Sequence, residues 1–189
     1  DQGQRKAREH LNNIGGTIDA ATQLSLEAGR DVRVVTTTTQ GGSTGASGVN
    51  LKTQDIDRIA GLYVSEPGGQ LSVKAGQDVI LQGAQVQSQG SVGIEAGRDI
   101  QLQAVNTGEQ LDASWNKNNT RQSAVTQSVG TSISAQGGDA TLLAGRDLVG
   151  EAAKLSASGT LKLEVKGNVE LGGVIDSDSR PGRTKFRIL

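Results

Sequence analysis

Four aspartates recur in one setting: Asp31, Asp78, Asp99 and Asp147 each stand two residues after a glycine, namely Gly29, Gly76, Gly97 and Gly145. A ladder of carboxylates beside glycine turns is raw material for a calcium site, because Ca²⁺ takes six to eight oxygen ligands. Calcium-binding β-rolls, however, repeat a Gly-Gly-x-Gly-x-Asp turn every nine residues. Here Asp78 and Asp99 are 21 residues apart, the other steps are longer, and each turn offers one glycine and one carboxylate. The expected role is therefore structural, with glycine supplying positive φ at no steric cost and aspartate bonding its own backbone. A second carboxylate pattern is Asp55 with Asp57 and Asp176 with Asp178. On a strand each pair would share a face at about 7 Å, which suggests a glycoside-cleaving acid pair. Nothing beside them supplies a base, a metal site or an aromatic sugar platform, so they read as solvated carboxylates in irregular segments. The chain accordingly reads as a non-enzyme without a cofactor, with a polysaccharide-cleaving enzyme as a distant alternative. Trp115, in the polar stretch Ala113 to Asn119, is either an exposed anchor for a partner or a ring packed over the flank of its own coil.

These residues need elements to hold them, and the clearest is a unit written twice. Leu71 to Gln82 and Val92 to Gln103 share the pattern apolar-x-apolar-x-Ala-Gly-x-Asp-apolar, with the two alanines, Ala75 and Ala96, 21 residues apart. Alternate apolar positions on both sides of the Gly-x-Asp word are the period of strands with one buried face. The same word recurs at Ala28 to Val32 and Ala144 to Leu148, and in worn form as Val165-Lys166-Gly167-Asn168-Val169. The steps alternate short and long, so the pattern is restored every 68 or 69 residues or so, as in a solenoid in which compact coils alternate with coils carrying extra residues. Ala84 and Val86 match Ala153 and Leu155 at that larger period, which makes three strands per coil. Counted at about 4.8 Å per strand, ~8 or 9 coils make a rod roughly 40 Å long.

Taken in order, 1–10 is charged and without periodicity, a frayed or capping N-terminal segment or a short helix. Residues 11–175 carry the repeats, with hairpin-like insertions at about 40–69 and 104–139, and 176–189 form a cap or tail with Arg183, Lys185 and Arg187. Composition agrees with an all-β solenoid. Aromatic residues are 2% of the chain, too few for an ordinary globular core of 189 residues but enough for a narrow one of stacked Val, Leu, Ile and Ala. The formal net charge of −1, with cations scattered singly, offers no stripe for nucleic acid. With no Cys and one His there is neither a disulfide framework, a thiolate zinc site nor a His cluster. No window is long and apolar enough to span a membrane as a helix and no secretion signal opens the chain; lacking methionine and beginning in polar text, it reads as a piece of something longer.

The Ala-Gly-(Arg/Gln)-Asp-(Val/Ile/Leu) words, the phrase Asn13-Ile14-Gly15-Gly16-Thr17-Ile18 and the step Gly83-Ala84-Gln85-Val86 resemble the haemagglutinin repeats of filamentous haemagglutinin and of contact-dependent inhibition exoproteins. The resemblance covers about Leu11 to Ile175. It implies a right-handed parallel β-helix belonging to a large bacterial exoprotein, secreted through an outer-membrane two-partner-secretion transporter to the cell surface. It further implies a role in adhesion or in toxin delivery to a target-cell receptor or glycan. Open strand edges at the two ends make end-to-end self-association an expectation.

Overall fold

The computed structural model describes residues 2–45, 48–116, 119–172 and 187–188, with the side chains of Trp115, Asn116, Asn119, Arg187 and Ile188 outside that description. Among the described residues every regular element is a strand, and the chain runs a repeating circuit. β1 (Gln2–Ala7), β2 (His10–Ile14) and β3 (Thr17–Ala20) each open a different parallel sheet. The second circuit lays β4 (Gln23–Ala28) on β1 and β5 (Asp31–Val35) on β2. It then detours through β6 (Thr37–Thr44) and β7 (Val49–Arg58) before β8 (Gly61–Val64) joins β3. The third circuit is compact: β9 (Gln70–Ala75), β10 (Val79–Gln82) and β11 (Gln85–Ser88). The fourth comprises β12 (Ser91–Ala96), β13 (Ile100–Gln103), a detour through β14 (Val105–Asn116) and β15 (Asn119–Val129), and β16 (Ser132–Ala135). The fifth is compact again, with β17 (Ala140–Ala144), β18 (Leu148–Glu151) and β19 (Lys154–Ala157). β20 (Leu161–Val165) and β21 (Val169–Gly172) begin a sixth, and β22 (Arg187–Ile188) pairs with β20. None of the sheets closes on itself; the all-β, parallel arrangement is compatible with a β-helix.

Register is what makes the core. In the first sheet, equivalent inward positions stack as Leu24, Leu71, Val92, Ala140 and Leu161, and as Leu26, Val73, Ile94, Leu142 and Leu163. The second sheet contributes Val32, Val79, Ile100 and Leu148, and the third Leu62, Val86, Ile133 and Leu155. All are buried and belong to one cluster. Because side chains alternate between faces, a slip of one residue in any circuit would turn its whole apolar set outward, so each circuit's register is dictated by the ones it touches.

Several expectations change. The described residues make five full circuits and part of a sixth, with β22 adding a seventh strand to the first sheet, not eight or nine circuits, because the two detours leave the stack; from first to seventh strand at about 4.8 Å this spans roughly 29 Å. The N-terminal segment is neither frayed nor helical: β1 pairs in register with β4 over all six residues, so its missing periodicity reflects an end position with one neighbour. Inward positions there hold Gly3 and Arg5 opposite Leu24 and Leu26. The first detour is Thr37–Arg58 rather than 40–69, since Gly61–Val64 returns to the third sheet. The second ends at Val129 rather than 139, since Ser132–Ala135 does the same. Residues 176–186 and 189, with Asp176, Asp178, Arg183 and Lys185, lie outside the described residues.

The two detours are not separate projections. β6–β7 and β14–β15 are antiparallel hairpins, and β7 pairs antiparallel with β14, giving a four-stranded sheet of order β15-β14-β7-β6. The fit is metric. A hairpin is two strands wide, about 9.6 Å, and hairpins leaving every second circuit start two strand spacings apart, also about 9.6 Å. At their roots buried threonines replace lost ladder bonds: Thr36 Oγ1 donates to the Gly83 carbonyl (2.7 Å) and accepts from the Ala60 N–H (3.0 Å), while Thr131 Oγ1 donates to the Leu81 carbonyl (2.8 Å). Gly83, at φ 56°, turns the compact third circuit between these roots; a Cβ there would meet Val105 Cγ2 at 2.7 Å.

Leu102 is fully buried in the middle of the stack, whereas Val125 on β15 is 57% exposed. Leu102→Ala is expected to cost about 2–5 kcal/mol in urea-unfolding stability, and Val125→Ala less than about 0.5 kcal/mol. Similar losses at both sites would refute this placement of the core.

Candidate functional site

The Gly-x-Asp words stack on one another at the corner between the first and second sheets. Each glycine N–H donates to the alanine carbonyl one level before it: Gly76 to Ala28 (3.0 Å), Gly97 to Ala75 (2.9 Å) and Gly145 to Ala96 (2.9 Å). The middle residue continues the ladder, Gln77 N–H to Arg30 (2.7 Å), Arg98 to Gln77 (2.8 Å) and Arg146 to Arg98 (2.7 Å). The reason for glycine differs from the expectation. The positive-φ glycines among the described residues are Gly15, Gly48, Gly68 and Gly83, not the four in these words. A Cβ on Gly76 would lie 2.1 Å from the Gly29 carbonyl oxygen, on Gly97 2.2 Å from that of Gly76, and on Gly145 2.0 Å from that of Gly97. Stacking distance, not dihedral freedom, excludes a side chain.

The aspartates also differ from the expectation. They bond the next circuit rather than their own backbone. The Asp78 N–H donates to Asp31 Oδ1 (3.3 Å), the Asp99 N–H to Asp78 Oδ1 (3.3 Å), the Asp147 N–H to Asp99 Oδ1 (3.2 Å) and the Asn168 N–H to Asp147 Oδ1 (2.8 Å). Arginines complete the arrangement. Arg98 grips Asp78 with two nitrogens, Nε donating to Oδ1 at 2.8 Å and Nη2 to Oδ2, and Arg146 holds Asp99 in the same way. The carboxylate side chains are 12% and 10% exposed and the guanidinium side chains 46% and 57%, so each pair has one foot in the stack and one in water. Where Gln77 takes the middle position no guanidinium among the described residues bonds Asp31, and His10 Nδ1 lies 3.0 Å from Asp31 Oδ2 instead. The Arg98 hydrogen bond, outweighing desolvation, holds the Asp78 carboxyl below the usual carboxylate range, and the same contact raises the Arg98 guanidinium. These carboxylates are already occupied by guanidinium and backbone N–H, and their arrangement does mechanical work, tying each level to the next.

Sequence reasoning passed over the x of Gly-x-Asp, which supplies both arginines, and over a divergent copy of the word. Ala7-Arg8-Glu9-His10 pairs in register with Ala28-Gly29-Arg30-Asp31. Its signal was position alone, one short step before Ala28.

The other predicted residues lie apart from this corner. Asp55 and Asp57 are on strand β7, not in an irregular segment; both are exposed, and Asp57 Oδ2 accepts from Thr37 Oγ1 (3.1 Å). Trp115 belongs to β14 near the hairpin tip, and its side chain lies outside the described residues. The hairpin sheet carries a shallow cleft whose lining includes Gln40, Lys52, Gln54, Asn106, Gln110 and Thr126, rich in amides and hydroxyls.

Because the folded-state pKa of Asp78 is depressed, its stabilising contribution is fully present above the unfolded value near about 3.9 and is lost as pH falls through the lower folded value. Asp78→Asn is therefore expected to unfold with a shallower loss of stability between pH 5 and pH 2, on the order of one proton less linked to unfolding, in urea titrations at each pH. Asp99→Ala, which removes the hydrogen-bonded partner of Arg146 and the acceptor of the Asp147 N–H, is expected to cost about 1–3 kcal/mol at neutral pH. Identical acid profiles for Asp78→Asn and the parent would contradict the first expectation.

Comparison with known proteins accords with this repeating geometry. The hemagglutinin-repeat family matches residues 60–112 and 106–183. Deoxyribonuclease CdiA of Dickeya dadantii (strain 3937) is 37% identical over 145 residues, a match that covers 75% of this chain; the chain spans 4% of that relative's length. No solved structure matches. The matched repeats extend over more than half of the residues, and the chain belongs to the hemagglutinin-repeat family.

Proposed function

We propose that the three parallel sheets close into a right-handed β-helix that serves as part of the shaft of a secreted bacterial exoprotein. The helix body would run over about 11–175, with the first strands as its end cap. In-register stacking of strands from successive circuits carries this reading. Each level bonds to the next through backbone ladders, aliphatic rows and the Asp–Arg corner, an arrangement suited to bearing load along one axis and holding a functional region away from the producing cell. The turn residues Gly29, Asp31, Gly76, Asp78, Gly97, Asp99, Gly145 and Asp147 are structural in this reading, and no catalytic step is assigned. Membership of the hemagglutinin-repeat family and the likeness to a CdiA protein support export through an outer-membrane two-partner-secretion transporter, display at the cell surface, and a role in adhesion or toxin delivery. End-to-end association of isolated segments would use the open ends of the three sheets, and Arg5 in the row of Leu26 opposes it at the first circuit.

A second reading has the fused hairpin sheet bind a receptor or glycan on the target cell. The amide-rich cleft across two hairpins that are far apart in sequence favours it.

Deleting Gln70–Gly138 from the exoprotein that carries this segment removes one double circuit and joins Gly69 to Asp139, which are equivalent to Gly69 and Gln70 in register. A shaft is expected to keep surface display, cell adhesion and growth inhibition while losing about 10 Å of reach. Intact display with loss of adhesion or inhibition would favour the binding reading. A parallel Trp115→Ala variant that folds yet fails to adhere would favour it too.

A further inference from the structure

Among the described residues the hairpin sheet ends on β15, which has a paired neighbour, β14, on one side only. Along Thr120–Ser128 every residue is exposed, so this edge presents an extended row of backbone N–H and C=O groups to water. Edge strands are ordinarily blunted by lysine, proline, glycine bulges or short length. β15 has none of these: it runs for 11 residues without Gly, Pro or Lys, includes Thr120, Val125, Thr126 and Val129, and bears one charge, Arg121. Its pairing with β14 is regular from Val129 to Thr120. The opposite edge, β6, is shorter, contains Gly41 and Gly42, and shifts register at Thr37/Thr38.

We propose that β15 is the contact edge of a two-fold dimer of this chain, in which it pairs antiparallel with β15 of a second copy. The established hairpin seam is the first ground. The chain already builds this sheet by joining two independent hairpins edge to edge, with Val49–Gln54 against Gly108–Ala113, and β15 is the next edge of the same antiparallel sheet. The symmetry of the strand is the second. A two-fold axis normal to the sheet makes the two identical strands antiparallel, which continues the alternation of β6, β7, β14 and β15. Repeating the seam by simple translation would instead drive the second copy into the fifth and sixth circuits, β17 to β21, of the first.

The side chains suit a centre at Ala124. Ser123 then faces the second copy's Val125, Gln122 its Thr126 and Arg121 its Gln127, so no like charges oppose one another. Val125, 57% exposed in the single chain, gains cover beside Ser123, on the face that carries the half-buried Leu51 and Leu111. Pairing would satisfy the free edge and place Val125 against a neighbour in one step.

The absence of cysteine makes the test clean, since one introduced thiol per chain reports one position. Sedimentation of the 189-residue chain is expected to show a concentration-dependent dimer. Val125→Lys is expected to weaken it by about tenfold or more with the thermal melt unchanged, because Val125 lies outside the core. Ala124→Cys is expected to form a disulfide-linked dimer under mild oxidation, since directly opposed strand residues are about 4.5–5.5 Å apart at Cα. Thr39→Cys, on β6, is the control and is expected to remain monomeric in non-reducing gels. A monomer at every concentration overturns the proposal. So does a dimer that survives Val125→Lys or cross-links equally through Thr39→Cys, because association would then run through β6 or the ends of the parallel sheets.

Discussion

Everything in this protein depends on strands of successive circuits lying in parallel register at one strand spacing. The Gly-x-Asp corner enforces that distance most strictly, because the carbonyl of one turn occupies the space where a side chain of the next would be. Glycine at the corner permits the approach, and the approach lets both the glycine and the following residue donate to the level before. Once the corner is set, the strands on either side are committed to their register, and the aliphatic rows follow.

The aspartate adds direction to the stack. Its carboxylate, nearly buried, accepts from the backbone of the following level and, where that level supplies arginine, from a guanidinium that reaches back from the solvent side. A buried carboxylate alone would be costly; sharing it between a backbone N–H and a half-exposed cation satisfies it without burying a second charge. The arrangement varies with the residue available. Gln77 leaves Asp31 to His10, and the glycine in the worn copy leaves Asp147 with the Asn168 N–H and a looser contact to Arg146. The corner thus tolerates substitution at its middle position while keeping its backbone ladder.

Hairpins leave the stack where the second sheet hands over to the third, in alternate circuits, and the compact circuit between them turns through Gly83 under their roots. This separates two tasks. The three parallel sheets carry the core, and the fourth sheet, polar and largely exposed, is free to vary in composition without disturbing them. The buried Thr36 and Thr131 hydroxyls are the joints, bonding to backbone where the chain departs and returns.

The sequence by itself determined the repeat: the alternation of apolar residues, the recurrence of Gly-x-Asp, the three faces per circuit and the presence of extra residues in every second one are all one-dimensional patterns with a direct physical meaning. It also indicated, through the words at Ala28, Ala75, Ala96 and Ala144, which residues would stack. Only the tertiary structure decided why the glycines are glycines, since the obstructing carbonyl of Gly29 or Gly76 belongs to another circuit. It alone revealed that each aspartate serves the level above, that Arg98 and Arg146 are its partners, and that Ala7 to His10 is a further copy of the word. The same holds for the fused hairpins, whose pairing of Val49–Gln54 with Gly108–Ala113 joins segments more than fifty residues apart. Local pattern reports which face a side chain takes, but the identity of a neighbour across a strand spacing is set by how many residues each circuit spends before returning, and that is a property of the whole stack.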